Sequence, residues 1–256
     1  ICQLSMRSES LYFILQTSLT YEDSYDDDYK GCFQQREMQI KKGYLSCEMK
    51  HNWALKHAWD KAWAYWSYQI PPKLDRDTAT AVTAYTSNSL FSQLNSAVEG
   101  GTHKVTNGYF RSMHLLLTKA IQILRPGNCI TTYRGINVFI PLKKGEMFRF
   151  GRFASSTTIW HIAQGFGLKM FFIIRTCYGA NIAPYSLYKS ESEVLIPPYE
   201  VFTVTSFQIV HVGVICSHLA CDVVYIDVVI CMYSPRVSMG FLRALRFTPT
   251  VQRHAG

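Results

Sequence analysis

The texture of the chain changes at Cys129, and that change constrains the fold more than any other feature. Before it, apolar side chains recur with the period of a helix; after it, they gather in short β-branched and aromatic runs. Helices first and strands afterwards is the pattern of an α+β domain. In the first half, Trp59, Trp63 and Trp66 recur at helical spacing with Trp53 ahead of them, which predicts an amphipathic helix over residues 52–68 that Pro71 and Pro72 end. Asp77 or Thr78 is placed to cap a second helix running through Thr80, Val82 and Tyr85. A third, Leu90 to Val98, closes at Gly100-Gly101. The fourth, Tyr109 to Leu124, puts Phe110, Met113, Leu117, Ile121 and Leu124 on one face and stops at Pro126-Gly127. Stripes of this kind are core packing, so these helices are assigned no chemistry.

The second half reads CITTYRGINVFI, EMFRFGRFASSTT, KMFFIIRTC, EVLIPPYEVFTVTSFQIV and DVVYIDVVIC, separated by turn residues. Residues 209–233 are apolar over the length of a membrane span but carry His211, His218, Asp222 and Asp227. Each Asp at mid-bilayer costs about 2.5–3.5 kcal/mol, so buried strands are expected there and no transmembrane helix. The first fifty residues read as polar and irregular, their cluster Glu22, Asp23, Asp26, Asp27 and Asp28 as a solvated arm.

At 48% hydrophobic content, 256 residues suffice for one large domain or two small ones. The net charge of +8 suits an anionic ligand, yet no basic run of five or more occurs, and nucleic acid is not expected as a partner. No GxGxxG follows a strand and no Walker loop is present. Eight cysteines lie far apart without a CxxC pair, which argues against zinc or any other metal and leaves long-range disulfides or buried thiols.

Three polar groupings interrupt strands that otherwise read as core: Tyr133-Arg134-Gly135, Phe153-Ala154-Ser155-Ser156-Thr157 and Glu191-Ser192-Glu193. On a strand Glu191 and Glu193 share a face, where two carboxylates repel unless a cation lies between or beside them. In this order, the three groupings resemble the arginine-specific mono-ADP-ribosyltransferases of the vertebrate ecto-enzyme family, marked by an Arg, an aromatic-x-Ser-Ser stretch and Glu-x-Glu. Asp28-Tyr29-Lys30-Gly31-Cys32, Ala84-Tyr85-Thr86, the stretch from Ser112 to Thr118 and Glu193-Val194-Leu195-Ile196-Pro197-Pro198-Tyr199-Glu200 extend the likeness over about residues 26–206.

The resemblance implies a two-sheet β-sandwich with the helical part packed on it, and NAD, with NADP as an alternative, as substrate. It implies that Glu193 stabilises an oxocarbenium-like ribose, that Ser155 steadies Glu193, and that Glu191 orients the guanidinium of arginine in an acceptor protein. Arg134 is implied to meet the diphosphate or its ribose and Gly135 to leave room for the nicotinamide amide. Arg152 and Ser186 fall where the family lines its nucleotide cleft. A disulfide from Cys129 to Cys177 is implied, closing a 48-residue separation (177 − 129) worth about 4 kcal/mol in the loop-entropy account. A second is implied from Cys32 to Cys231, or to Cys221.

Beyond about Gln208 the family pattern fades. The expected organisation is an irregular arm over residues 1–25, one catalytic domain over 26–233 and an irregular tail over 234–256. A monomer is expected, extracellular and either secreted or at the cell surface, with no anchor signal seen in FTPTVQRHAG. An NAD glycohydrolase, with water in place of arginine, and a non-catalytic secreted binding module of the same fold are the alternatives.

Overall fold

A computed structural model describes residues 21–87, 90–209, 215–217, 220–222 and 228–233. The tail and most of the expected arm lie outside the described residues.

Helices begin at residue 33, inside the stretch expected to be irregular. α1 (Phe33–Gln39) runs through a π segment (Ile40–Tyr44), kinked at Gly43 with φ 109°, into α2 (Leu45–His51). No residue of α1 is buried, so it carries no apolar stripe for periodicity to find. α3 (Trp53–Trp66) starts at Asn52, whose side chain accepts the Leu55 N–H at 2.9 Å and donates to the Gly108 carbonyl at 2.7 Å. Its tryptophan stripe is only half core. The buried face centres on Leu55, Ala58 and Ala62, which keeps Trp59 and Trp66 inside and leaves Trp53 76% exposed against His57.

α4 (Arg76–Tyr85) is capped by Asp75, not by Asp77 or Thr78 as expected. The Asp75 carboxylate takes both the Thr78 N–H (2.9 Å) and the Thr78 hydroxyl (2.8 Å). Thr78 to Tyr85 are all buried, so this is the helix the others surround. α5 (Phe91–Glu99) gives way to α6 (Gly101–Asn107) at Gly101, where φ 80° turns the chain and a Cβ would sit 2.3 Å from the Asp23 carbonyl. α7 (Arg111–Leu124) has no capping side chain of its own. Glu48 of α2 supplies it, accepting the Arg111 and Ser112 N–H groups at 2.9 and 3.0 Å.

The strands are β1 (Ile130–Ile136), β2 (Met147–Arg149), β3 (Ala154–Thr157), β4 (Met170–Thr176), β5 (Ala180–Asn181), β6 (Glu193–Ile196), β7 (Val201–Ile209), β8 (Ile215–Ser217), β9 (Ala220–Asp222) and β10 (Val228–Tyr233), with α8 (Trp160–Phe166) between β3 and β4. Eight of them are linked in the order β2-β7-β10-β4-β1-β3-β6-β5, and β8 with β9 forms a separate pair. β1 shares seven residue pairs with β4 but only Tyr133–Thr157 with β3. The ladder is therefore all but split between β1 and β3, and the two parts face each other as the two-sheet expectation requires. Ala154 and Ile196 of the small part pack with Phe148, Phe172, Phe202 and Ile230 of the large one. The neighbouring Leu195 turns the other way, into the core built by the helices.

The sequence beyond Gln208 contributes an interior strand: β10 lies between β7 and β4, parallel to the latter. No described helix is long and apolar enough to cross a membrane. A disulfide joins Cys129 to Cys177 at the common end of β1 and β4, as expected. Cys32 is also disulfide-bonded. The side chains of Cys221 and Cys231, its expected partners, lie outside the described residues.

Candidate active site

Where the ladder splits, a cavity of about 800 Å³ opens, walled on one side by β1, β3 and β6 and on the other by α4 and α5. That volume is in the range of small-molecule and cofactor pockets. Arg134, Gly135, Arg152, Ser155, Glu191 and Glu193 all line it. Six of the seven residues expected in the site are thus brought together; Ser186 is placed differently.

The strand wall is set by backbone register. β1 is pinned to β4 along its length, and Gly135 lets α8 lie directly on it, since a Cβ there would meet the Gly167 and Ala163 carbonyls at 2.2 and 2.3 Å. Gly135 is thus required by the packing of α8, whatever else its backbone does for a ligand. One residue earlier, Arg134 reaches across the split to donate to the Ser155 carbonyl. Arg134 as a residue is only partly buried, but its guanidinium is enclosed, and that desolvation pushes its pKa down.

β3 and β6 pair Ser155 with Leu195 and Thr157 with Glu193, which sets Glu193 beside the serine stretch. Glu193 is 7% exposed. Burial pushes its pKa up, the Ser155 hydroxyl opposes this by hydrogen bonding, Glu191 adds to the rise, and Ser186 and Arg134 oppose it. Ser186 does not line the cavity. It is buried and hydrogen-bonded to Glu193, and its hydroxyl also accepts the Tyr188 N–H at 3.0 Å.

Glu191 is not on the strand, so the shared face expected for the two glutamates does not exist. It ends a 3₁₀ turn (Lys189–Glu191), and Ser192 in the left-handed region at φ 47°, ψ 46° reorients the chain before β6 begins. The Thr157 hydroxyl holds this turn by donating to the Glu191 carbonyl at 2.7 Å. Glu191 therefore enters the cavity from its rim, less buried than Glu193, with its pKa raised by partial desolvation.

The helical wall carries residues that periodicity had assigned to packing alone. Tyr85 of α4 donates its hydroxyl to the Phe153 carbonyl at 3.1 Å, and Asn95 of α5 donates to both that hydroxyl and that carbonyl at 3.1 Å. Burial lifts the Tyr85 phenol to about 12, raised further by Glu193 and opposed by hydrogen bonds from Asn95 and Ser155, so Tyr85 is neutral and touches the serine that touches the glutamate. On α5, Ser92, Asn95, Ser96 and Glu99 all face the cavity. These are positions i, i+3, i+4 and i+7, a polar stripe legible in the sequence and passed over in favour of the apolar one.

A buried carboxylate beside a hydroxyl, a guanidinium at the floor and a second carboxylate at the rim form a site able to stabilise developing positive charge, hold an anion and orient a cation. No described cluster of three His, Cys, Asp or Glu is placed to hold a metal ion.

Sequence comparison gives this geometry its family. The family described as NAD:arginine ADP-ribosyltransferase matches residues 19–215, and the chain belongs to it. Ecto-ADP-ribosyltransferase 5 of Rattus norvegicus is 38% identical over 214 residues, covering 76% of this chain and 68% of its own. NAD(P)(+)--arginine ADP-ribosyltransferase 2 of Gallus gallus is 38% identical over 199 residues, covering 72% of this chain and 63% of its own. The crystal structure of the eucaryotic mono-ADP-ribosyltransferase ART2.2 superposes with a TM-score of 0.69 at 28% identity, covering 90% of this chain and 99% of that one. A mutant of the same protein solved in complex with NAD gives the same TM-score, 0.69.

Proposed function

We propose that this protein transfers ADP-ribose from NAD to the guanidinium of arginine in acceptor proteins and releases nicotinamide. The observation that carries the reading is the convergence of Arg134, Ser155, Glu193 and Glu191 on one cavity. The bond from the ribose C1′ to the pyridinium nitrogen breaks, and its electron pair neutralises the pyridinium as nicotinamide leaves. Positive charge then develops on the ribose, where the Glu193 carboxylate interacts with it more strongly than with the ground state. Ser155, between Tyr85 and Glu193, fixes the position of that carboxylate.

Arg134 offers its fork of donors to the diphosphate or the attached ribose. A guanidinium nitrogen of the acceptor forms the new bond to C1′ and loses one proton to solvent as it does so. Free guanidinium titrates above about 12, so Glu191 serves chiefly to orient it by charge and hydrogen bonding. Arg152 and the backbone at Gly135 belong to the dinucleotide side of the cavity. The disulfide at Cys129–Cys177 and the bonded Cys32 support an extracellular location, secreted or at the cell surface.

The test is incubation of the oxidised protein with NAD labelled in the ADP-ribose half and agmatine as acceptor, beside Glu193→Gln. Label on agmatine, reduced at least about 10²-fold in the variant, is the expected result. Free ADP-ribose without labelled agmatine would replace transfer by glycohydrolysis, and NAD binding without either product would leave a binding module.

A further inference from the structure

The two most exposed large apolar side chains among the described residues lie together, in the connection from α3 to α4. Tyr68 is 93% exposed and Ile70 90%. Neither lines the cavity. A single exposed apolar residue calls for no account, but several held beside a reaction site do. Pro71 and Pro72 follow Ile70 directly and fix the backbone there, so a partner meeting these side chains has little chain entropy to remove.

The connection is fastened to the segment that carries Glu191. Trp66, at the end of α3, packs against Tyr185 with ring centroids 5.8 Å apart, and the Tyr185 phenol is hydrogen-bonded to the Leu74 backbone. The Thr83 hydroxyl accepts the Trp66 indole N–H at 2.8 Å and donates to the Tyr185 carbonyl at 2.7 Å. The Thr86 hydroxyl accepts the Leu187 N–H at 3.2 Å. Lys189 then reaches back to α3, its Nζ 5.9 Å from the centroid of the Tyr65 ring. Leu187 and Tyr188, both exposed, thus continue the surface of Tyr68 and Ile70 toward Glu191 at the rim of the cavity. Lys73 and Lys189 are exposed as well, and neither is ion-paired among the described residues.

Apolar area and positive charge outside, with a carboxylate at the inner edge, are the complement of an arginine followed by apolar and acidic residues. The reach sets the spacing. Two residues from Glu191 to Lys189, the gap to Tyr65 and one helical turn to Tyr68 add to roughly 18 Å, or about five residues of extended chain. We infer that Tyr68 and Ile70, with Leu187, form the docking surface for the acceptor protein, and that this surface selects acceptors with leucine-like side chains and a carboxylate about five residues from the modified arginine. The inference rests on the proposed function, because Glu191 marks where the acceptor guanidinium lies.

The test compares transfer from NAD to agmatine and to two peptides, each a Gly-Ser chain with one central arginine, the first also carrying leucine and glutamate about five residues to either side. On the wild-type protein the first peptide is expected to have a KM at least about tenfold below that of the second. Exchanging its glutamate for lysine should raise that KM about threefold. The double variant Tyr68→Ser, Ile70→Ser should remove the difference between the peptides. It should leave thermal unfolding unchanged and agmatine transfer within about twofold, since agmatine is too short to reach the surface. Equal KM values on the wild-type protein, or a difference that survives in the double variant, overturn this inference alone, because agmatine still reports the reaction. So does a wild-type dimer that the double variant dissociates, which gives the surface to a second copy of the chain. Failure of the wild-type protein to label agmatine overturns the proposed function itself.

Discussion

The two walls of the cavity are built by different means. On the strand wall, Ser155 and Glu193 are placed by backbone pairing of β3 on β6 and project from a frame that does not depend on them, while Arg134, carried by β1 on β4, also ties that frame across the split through the Ser155 carbonyl. On the helical wall, Tyr85 and Asn95 are themselves the connection, since both bond to the Phe153 carbonyl across the gap. A frame of the first kind allows residues to be chosen for chemistry. One of the second kind ties residue choice to stability. Substitutions at the strand-wall carboxylates should therefore change turnover with little effect on unfolding, and those on the helical wall should change unfolding first.

The largest separation is expected at Glu191→Gln. Its carboxylate leans on nothing the fold requires, because the turn is held through its carbonyl by Thr157. Transfer to agmatine should fall about 10²-fold while hydrolysis of NAD stays within about threefold, and thermal unfolding should not move. Equal losses of transfer and hydrolysis would mean that Glu191 acts on the ribose as Glu193 does, and the distinction between rim and floor would fail.

Asn95→Ala probes the other wall. It removes two buried hydrogen bonds, to the Tyr85 hydroxyl and to the Phe153 carbonyl, and is expected to destabilise the protein by about 2 kcal/mol in denaturant unfolding. Transfer measured well below the unfolding transition should drop by only about tenfold, through loosened placement of Ser155. A large loss of activity at unchanged stability would make Asn95 a ligand contact and break the contrast between the walls.

The same contrast explains what the sequence made legible. Residues placed by strands were readable because Arg134, Ser155 and Glu193 are polar groups interrupting apolar runs, and a motif of neighbours carries such a signal. Glu191 was half readable: its identity was clear, but the turn at Ser192 that removes it from the strand depends on a left-handed backbone at a residue that rarely adopts one. Tyr85 and Asn95 were hidden because a buried hydrogen-bonding side chain on a helix has the same spacing as a core residue. α1 and α2 were hidden for the opposite reason, since α1 buries nothing and Glu48 of α2 acts on a helix 63 positions away.

The smallest effect concerns His114, the buried ring behind the helical wall. It packs 5.1 Å from Phe153, whose carbonyl both Tyr85 and Asn95 hold. Its Nε2–H donates to the Tyr25 carbonyl at 3.0 Å, and its Nδ1 accepts the Tyr29 hydroxyl at 2.8 Å, so the ring is satisfied only while neutral. Burial pulls its pKa from 6.5 down to about 3. Above pH 6.5 the ring is neutral folded or unfolded, and its contribution to stability is fully present. Between 6.5 and about 3 the unfolded chain binds a proton that the folded chain does not, so stability is lost progressively as pH falls, at a slope approaching about 1.4 kcal/mol per pH unit. The buried carboxyls Glu48 and Glu193, whose pKa values are raised in the fold, act in the opposite sense, which is why the measurement is a difference. Denaturant unfolding of the wild-type protein and of His114→Gln, compared from pH 7 to 5, should show a shallower decline in the variant, which keeps a donor toward Tyr25 but has no proton to gain. Parallel declines would mean that His114 is protonated in the folded protein, and that the helical wall is backed by a charge instead of a neutral ring.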